Sequence, residues 1–322
     1  MIKAISIENV SQYGAYVIIL VLCVIGVSIT HEFLTFTNLM NVIEAVSFLG
    51  IIACGMALVT YSGKLVDLSV PSVISLSGIV SILTLKYGLI PSICLSVLAG
   101  SVVGIINGVV IGRFKSNAII WTLAVNFVMT GLIRVFFGST NIYLKPSEVS
   151  AHFESIARWR FFGYVPLSTV VMLVLILAVH FVVVSTKAGK QLKLVGSAET
   201  VAYFTAIMKG LPVLIAFVAS AVTAAVGGIF ISSLSKSACY TYGVGYEFSA
   251  LTAIVLSGVT LDGGRGSILG VLGGVLTIGL LSNILTLLGV GTFSQQMIKG
   301  LVFIVVVWLT SFSMGVMEKQ SA

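Results

Sequence analysis

Long apolar stretches alternate along this chain with short segments of charged and turn-forming residues. The apolar stretches fall at 13–30, 38–61, 68–85, 89–111, 118–137, 166–185, 211–233, 246–261, 267–289 and 296–314. A helix needs about 20 apolar residues to cross the hydrocarbon core of a bilayer. The strands of a membrane barrel would instead alternate apolar and polar positions, which these stretches do not do. The pattern predicts an all-α integral membrane fold with about ten transmembrane helices in one bundle.

One stretch departs from the simple pattern. Residues 68–85 are few for a full crossing, follow a charged turn and contain Pro71, so a broken or re-entrant helix near 67–85 is the alternative to a plain span. Two other stretches, Leu98 to Gly112 and Gly266 to Gly279, are rich in small residues. Small residues let helix backbones approach closely in a membrane, so both stretches are predicted to form helix–helix interfaces.

Composition supports this interpretation and excludes several classes of protein. Of the 322 residues, 58% are hydrophobic and 8% are charged, and the mean hydropathy is +1.17, whereas an average soluble domain is about half apolar and a quarter charged. A large soluble domain is therefore excluded. The four cysteines show no Cys-x-x-Cys or Cys/His cluster, so we expect buried free thiols, no metal site and no cofactor.

The net charge of +7 comes from scattered Lys and Arg residues, which in a membrane protein indicates topology and not a nucleic-acid partner. Basic residues concentrate in two connections, 112–117 and 186–209, and short basic connections tend to face the cytoplasm. An even number of spans then places both termini in the cytoplasm. The charge-balanced connection 138–165 becomes an external loop.

A short sequence echo occurs at an offset of 195 residues, where Asp67 and Asp262, the two aspartates of the chain, fall on each other. Four neighbouring small residues also match: Ser62, Gly63, Ser72 and Gly78 correspond to Ser257, Gly258, Ser267 and Gly273. The predicted topology places both aspartate turns on the cytoplasmic face, so the echo is parallel. A true duplication and a chance match in a chain rich in glycine and serine stay equally open.

Longer stretches carry a resemblance to a known family. Residues 56–70 and 245–267, continued by Leu269-Gly270, Asn283 and Gln295 to Gly300, resemble the signature stretches of ABC-importer permeases of the ribose/monosaccharide type. These permeases are inner-membrane components of bacterial binding-protein-dependent transport systems. Ala188-Gly189-Lys190 and the segment from Gly196 to Ile207 look like the cytoplasmic loop by which such permeases contact their ATPase.

The resemblance implies one permease domain over residues 1–322, in the bacterial inner membrane, that moves a monosaccharide or similar small polar solute and is not itself an enzyme. Its expected partners are cytoplasmic ATP-binding subunits, a periplasmic or extracellular solute-binding protein and a second permease chain, besides the lipid bilayer. The connection 186–209 is then the coupling loop, whose ATPase-contacting candidates are Gly196, Glu199, Ala202 and Ile207. The signature turns contain Asp67, Ser69, Asp262, Gly264 and Arg265.

Three departures from the family pattern leave the solute and the partner chain open. The sequence has Gly63-Lys64 where the family usually has a Gly-Gly pair, and Pro71 where glycine is usual. It has Asn117 to Leu123 in place of a Pro-Phe-Ile-Ala-Thr-Leu stretch. Both a homodimer and a heterodimer of related permeases fit these features.

Polar residues inside apolar stretches are further candidates, because such groups at depth tend to face a cavity or a partner. The translocation-path candidates are Asn107, Asn126, Asn283 and Glu44. The three amides are equally suited to interhelical hydrogen bonds, and Arg134 and Glu247 are expected to extend to the membrane edge. The alternative function, an ion-coupled secondary transporter, needs acidic residues at the midplane, and of the ten acids only Glu44 is predicted to lie well inside a span.

Overall fold

The computed structural model describes residues 7–197 and 210–321, and most of that length is helical. The helices are α1 (Ile7–Ile29), α2 (Phe36–Tyr61), α3 (Val70–Thr84), α4 (Leu89–Arg113), α5 (Ala118–Phe137), α6 (Glu148–Arg158), α7 (Leu167–Ser185), α8 (Lys187–Ser197), α9 (Gly210–Ser235), α10 (Tyr246–Leu256), α11 (Val271–Leu287) and α12 (Thr292–Ser321). A 3-10 turn, Leu85–Tyr87, follows α3. Two short antiparallel pairs complete the described structure: β1 (Ile142–Tyr143) with β4 (Ser237–Ala238), and β2 (Arg160–Phe161) with β3 (Val165–Pro166).

Each of the ten apolar stretches coincides with a helix, which confirms an all-α membrane fold. Within the described ranges, six helices are long and apolar enough to cross a bilayer: α2, α3 with its 3-10 extension, α4, α5, α7 and α9. Four shorter apolar helices lie at 16–29, 246–256, 271–287 and 292–308. A count of about ten full crossings therefore stays a prediction. Helices α6 and α8 lie in the connections 138–165 and 186–209. The sequence did not predict a helix at either position.

Helix α2 forms the centre of the bundle. Its residues are mostly apolar on every face, and Ile51, Ile52 and Met56 are fully buried, because other helices surround it on all sides. Helices α7, α9, α10 and α11 pack around α2, whereas α3 packs against α4 and α9. The peripheral α5 leaves large apolar side chains such as Phe127 and Val135 exposed, as a surface facing lipid would.

The four cysteines are unpaired, as predicted, but they are not all buried. Cys54 and Cys239 are buried, whereas Cys23 is half-buried and Cys94 is exposed. Cys94 lies on the part of α4 that faces outward among exposed apolar residues. The expectation of a buried thiol is therefore wrong for Cys94, because a peripheral membrane helix can place a small apolar group against lipid.

A ladder of four glycines joins α4 to α9. Gly100, Gly104, Gly108 and Gly112 recur every fourth residue, and all four face α9. A Cβ at Gly104 would lie 2.6 Å from Ala221 Cβ and 2.8 Å from the Phe217 carbonyl oxygen. The absence of side chains therefore sets the distance between these two helices, which confirms the predicted interface over Leu98 to Gly112.

Helix α3 begins in the interior of the bundle and not at its face. After α2 ends at Tyr61, the chain runs back between the helices until the Asp67 carboxylate accepts a hydrogen bond from Ser220 Oγ at 3.0 Å. Ser220 lies ten residues beyond the first residue of α9, about 15 Å along that helix. This geometry agrees with the broken-helix alternative near 67–85. It also corrects the placement of Asp67, which is fully buried and not at the cytoplasmic face.

Helix α10 also begins in the interior. The segment 239–245 lies over the start of α3, where Ser75 Oγ donates to the Tyr240 carbonyl oxygen at 3.0 Å. The Gly243 N–H donates to Ser75 Oγ at 3.3 Å, and a Cβ at Gly243 would overlap the Pro71 carbonyl group. The two shortened helices α3 and α10 thus start beside each other and run toward opposite ends of the bundle. Interrupted helices of this kind are typical of solute sites in transporters.

The connection 138–165 is folded and attached to the bundle. Helix α6 begins at a capping box formed by Ser147 and Ser150, and its Phe153 is fully buried. Ser233 Oγ of α9 donates to the Phe153 carbonyl oxygen at 2.7 Å. Beyond α6, Arg160 forms an ion pair with Glu44 of α2 at 3.3 Å. The predicted loop is therefore a compact cap that contains a helix and three of the four short strands.

Glu154 on α6 provides a test of how the cap is held. Lys236 and Arg158 lie 2.6 and 3.2 Å from its carboxylate, and the hydrogen bond from Lys236 lowers the pKa of Glu154 below its ordinary value. A carboxyl group whose pKa is lower in the folded than in the unfolded chain stabilises the folded protein at neutral pH. That stabilisation is lost as the pH falls through the lowered pKa. We expect Glu154→Gln to reduce the thermal midpoint slightly at pH 7, with no difference from the native protein in acid. Glu32→Gln, at an exposed position, is the matched control, and a pH-independent difference for Glu154→Gln would contradict this account.

Candidate functional site

The two signature turns and the end of α8 meet at one end of the bundle. The Gly264 N–H donates to the Tyr61 carbonyl oxygen at 2.9 Å, so the turn after α10 is bonded to the last residue of α2. Gly63 and Gly263 have φ values of +73° and +84°, a conformation that glycine adopts without strain. A Cβ at Gly263 would lie 2.5 Å from the Gly63 nitrogen. This close contact requires glycine on both sides.

Gly196 of α8 completes this contact. A Cβ at Gly196 would overlap the Tyr61 carbonyl oxygen and would lie 2.8 Å from the Gly264 nitrogen. We call Gly63, Gly196, Gly263 and Gly264 the glycine junction. The predicted coupling residues Glu199, Ala202 and Ile207 lie outside the described residues, but the segment that contains them begins two residues after the junction. The junction thus connects α8, which precedes the predicted coupling residues in the chain, to the ends of α2 and α10.

The other signature residues separate into two environments. Asp262 and Arg265 are exposed beside the glycine junction, whereas Asp67 and Ser69 are fully buried. The two aspartates that match in sequence are therefore not equivalent in structure. The sequence match at 195 residues does not reveal this difference. The segment 62–69 turns into the interior of the bundle, whereas the segment 257–267 stays near one end of the bundle.

Asp67 belongs to a closed polar network at the start of α3. Its Oδ1 accepts hydrogen bonds from Ser69 N at 3.0 Å and Ser69 Oγ at 2.6 Å, and its Oδ2 accepts one from Ser220. Asn107 Nδ2 donates to Ser69 Oγ at 2.8 Å, and Trp121 Nε1 donates to Asn107 Oδ1 at 3.0 Å. The network joins α3, α4, α5 and α9. Because its buried groups bond to one another, it fixes the position of the broken helix.

The remaining path candidates also bond to protein groups. Asn126 Oδ1 accepts a hydrogen bond from Ser72 N at 3.1 Å. The side chains of Asn283 and Asn38 exchange two hydrogen bonds, at 2.7 and 3.0 Å, between α11 and α2. Glu44 is the partner of Arg160 in the cap. The structure thus brings Asn107 together with Asp67 and Ser69 and places Asn283 and Glu44 elsewhere, and a path role for these four candidates stays a prediction.

The Asn38–Asn283 pair provides a test of whether Asn283 holds two helices together or contacts the solute. Asn283→Leu is expected to lower the free energy of unfolding by about 1–3 kcal/mol, because it leaves Asn38 Oδ1 without its donor while Asn38 Nδ2 keeps its bond to the Phe33 carbonyl oxygen. The double variant Asn38→Leu/Asn283→Leu should recover only part of that loss, since it removes the unpaired amide oxygen but also removes the hydrogen bond from Asn38 to the Phe33 carbonyl oxygen. The measurement is thermal unfolding of the purified protein. A role of Asn283 in the solute path would instead raise the KM for uptake in both the single and the double variant.

A cavity of about 500 Å³ lies beside the start of α10, between α2, α11 and α12. Its wall contains the apolar Leu49 and Ile278, and polar groups come from Glu247, Gln296 and Lys299. Glu247 is half-buried in the first turn of α10 and lines this cavity, and its expected reach to the membrane edge stays a prediction. The sequence interpretation missed Gln296 and Lys299. A signal was present, because Lys299 is the one charged residue in the apolar stretch 296–314.

The described residues contain no group of three or more His, Cys, Asp or Glu side chains arranged to hold a metal ion. The polar groups described above are instead mainly amides and hydroxyls, with a few charged side chains. Such groups can orient a polar solute or hold helices together.

Known proteins match this chain over most of its length. A family model described as "Branched-chain amino acid transport system / permease component" matches residues 38–307. The ribose import permease protein RbsC of Escherichia coli is 31% identical over 304 residues, 92% of each chain, and that of Bacillus subtilis is 33% identical over 311 residues, 95% of each chain. The L-arabinose transport system permease protein AraH of Escherichia coli is 30% identical over 300 residues, 92% of this chain and 89% of AraH. No solved structure matches the chain. The resemblance to importer permeases of the ribose type is thus confirmed, and the chain belongs to this family of transport-system permease components.

Proposed function

We propose that this chain is the permease subunit of an ATP-driven importer and forms the path for a monosaccharide or a similar small polar solute. The names of its relatives, which import ribose and L-arabinose, support this solute class. ATP hydrolysis takes place on separate cytoplasmic subunits, and a solute-binding protein delivers the solute from outside. A second permease chain, identical or related, completes the path.

We further propose an orientation in the bacterial inner membrane. The glycine junction, the segment 186–209 and both termini face the cytoplasm, because the basic connections cluster at that end. The cap at 138–165 faces outward, where the binding protein docks. The six long helices cross the bilayer, and the four shorter apolar helices complete a bundle of about ten that is a single domain over residues 1–322.

The glycine junction is the observation that supports coupling to an ATPase most directly. A rigid contact between α8 and the ends of α2 and α10 passes a displacement of the coupling segment to the central helix and to a helix that lines the cavity. Hydrolysis can drive transport only if the ATPase binds the outward-open and inward-open states differently. At the glycine junction, a movement of the ATPase-bound segment would be transmitted to the membrane helices.

One observation favours the alternative, an ion-coupled secondary transporter. Asp67 and Glu247 lie inside the bundle besides Glu44, and acids at depth are typical of ion pathways. However, Asp67 accepts three hydrogen bonds from two serines, and Glu44 is paired with Arg160. Asp67 and Glu44 are therefore used to hold neighbouring elements together, which supports the importer, and Glu247 is the one of the three that faces a cavity.

Uptake into membrane vesicles tests the proposed function. The vesicles contain the permease, its ATPase subunits and the binding protein, and radiolabelled ribose and L-arabinose are the probes. We expect uptake that requires ATP and persists when an uncoupler collapses ion gradients. Uptake that stops with the uncoupler and continues without ATP would establish the secondary transporter instead.

A further inference from the structure

We propose that the cavity beside the start of α10 binds a neutral sugar ring, with Lys299 and Gln296 of α12 donating hydrogen bonds to the ring hydroxyls and Glu247 of α10 accepting them. This inference rests on the proposed function and assigns the solute site within it. The cavity volume, about 500 Å³, lies in the range of ligand pockets, about 300–1,000 Å³.

Most polar groups around the cavity are already bonded to protein. Ser249 Oγ donates to the Gly245 carbonyl oxygen and Ser282 Oγ to the Ile278 carbonyl oxygen, each at 2.8 Å. Gln295 Nε2 donates to Thr286 Oγ1 and to the Val290 carbonyl oxygen, so it ties the start of α12 to the end of α11. These three side chains shape the wall and have little capacity left for a solute.

The polar groups that stay available in the cavity include those of Gln296, Lys299 and Glu247. Within the described part of the chain, the side chains of Gln296 and Lys299 have no hydrogen bond or ion pair. Glu247 uses one carboxylate oxygen to accept the Gly245 N–H at 2.8 Å and keeps its other oxygen. A charged group away from bulk water is unfavourable without a hydrogen-bonding partner. A solute with hydroxyl groups supplies partners to all three.

The charges select the class of solute. Lys299 and Glu247 line the same cavity with opposite charge and form no ion pair with each other, so each stays available to a bound molecule. An anion would meet Glu247 and a cation would meet Lys299, whereas a hydroxyl both donates and accepts. The rings of Tyr246 and Phe248 at the same wall offer apolar faces to the C–H side of a sugar ring. Neutral polyols therefore fit better than ions.

Uptake kinetics provide the first test. In vesicles with the complete transporter, Lys299→Met and Glu247→Gln should each raise the KM for ribose or L-arabinose about tenfold or more, because each removes a hydrogen bond to a charged group. The amount of ATPase subunit that co-purifies with each variant should equal that of the native permease. Lys86→Met, in the 3-10 turn far from the cavity, is the matched control with an unchanged KM.

Cysteine protection tests the site without requiring transport. The exposed Cys94 and half-buried Cys23 are first replaced by serine, and Lys299→Cys is then labelled with a water-soluble thiol reagent. Saturating ribose or L-arabinose should slow labelling at position 299 several-fold and should not affect labelling of a Lys86→Cys control. Leucine, as a zwitterionic probe, should give no protection.

Each outcome has a defined consequence. Protection by leucine and not by either sugar would overturn the sugar assignment in favour of an amino acid. Unchanged KM values with no protection by any probe would overturn the cavity as the solute site while leaving ATP-driven uptake intact. A native permease that shows no ATP-driven uptake would contradict the proposed function, and the protection experiment would still decide whether the cavity binds sugar.

Discussion

Replacement of Gly196 by alanine is expected to reduce ATP-driven uptake at least tenfold while the permease still folds. The added Cβ would overlap the Tyr61 carbonyl oxygen and lie 2.8 Å from the Gly264 nitrogen. Both neighbours are backbone atoms, so α8 must move away from the end of α2. The hydrogen bond from Gly264 N to Tyr61 O is then weakened, and overpacking together with this loss destabilises the folded state by about 1–3 kcal/mol.

The large effect on uptake follows from what the junction connects. A displaced α8 no longer transmits movement of the coupling segment to α2 and α10, although the rest of the bundle is unchanged. Uptake into vesicles and the ATPase rate of the assembled transporter are the measurements, and continued hydrolysis without uptake is the expected signature. Gly131→Ala in α5 is the matched control, since a Cβ there meets nothing within 4 Å and alanine favours a helix. Native uptake by Gly196→Ala would show that the junction does not couple the ATPase to the helices.

Replacement of Gly104 by leucine is expected to lower the free energy of unfolding by about 3 kcal/mol, the upper part of the range for overpacked cores. The side chain would enter the contact between α4 and α9, where the nearest atoms include the Phe217 carbonyl oxygen at 2.8 Å and Val218 Cα at 3.0 Å. Backbone atoms cannot rotate away, so the two helices must separate. Asn107 lies one turn along α4, and its hydrogen bonds to Ser69 and Trp121 should lengthen as well.

A pair of rescue variants makes this prediction sharper. A Cβ at Gly100 would meet Ala225 Cβ at 2.8 Å, with the nearest backbone atom, the Ala221 carbonyl oxygen, at 3.3 Å. Ala225→Gly should therefore restore most of the stability lost by Gly100→Ala. Ala221→Gly should restore only part of the loss in Gly104→Ala, because the Phe217 carbonyl oxygen stays in place. Thermal unfolding of the four variants measures both recoveries, and equal recoveries would contradict a contact limited by backbone atoms.

The sequence was sufficient for the positions of the membrane helices, and the reason is the solvent. In lipid, a backbone can satisfy its polar groups within one helix, so a run of apolar residues predicts a helix almost independently of its neighbours. The stretch 118–137 and helix α5 coincide, and 38–61 differs from α2 by two residues at its start. The interface over Leu98 to Gly112 could also be predicted from local sequence, because closely packed helices need small residues at their contact.

The candidate site was harder to predict, because its residues come from distant parts of the chain. Asn107 and Asn283 were correctly identified as polar groups in apolar surroundings, but the partners that bond to them, Ser69 with Trp121 and Asn38, lie on other helices. Glu247 was predicted to extend to the membrane edge, and nothing in its own stretch indicated the cavity that it lines. The structure starts α10 in the interior, and this places Glu247 in the cavity with Lys299.

By itself, the sequence determined that this protein is a helical membrane protein, where its helices lie, and which family of permeases it belongs to. These properties depend on local composition and on motifs that are contiguous in the chain. Only the tertiary structure decided that Asp67 is buried while Asp262 is exposed, that Gly196 contacts both signature turns, and that a polar cavity opens at the start of α10. Each of these depends on where the chain re-enters the bundle, and the path of a re-entrant segment is set by packing against residues far away in sequence.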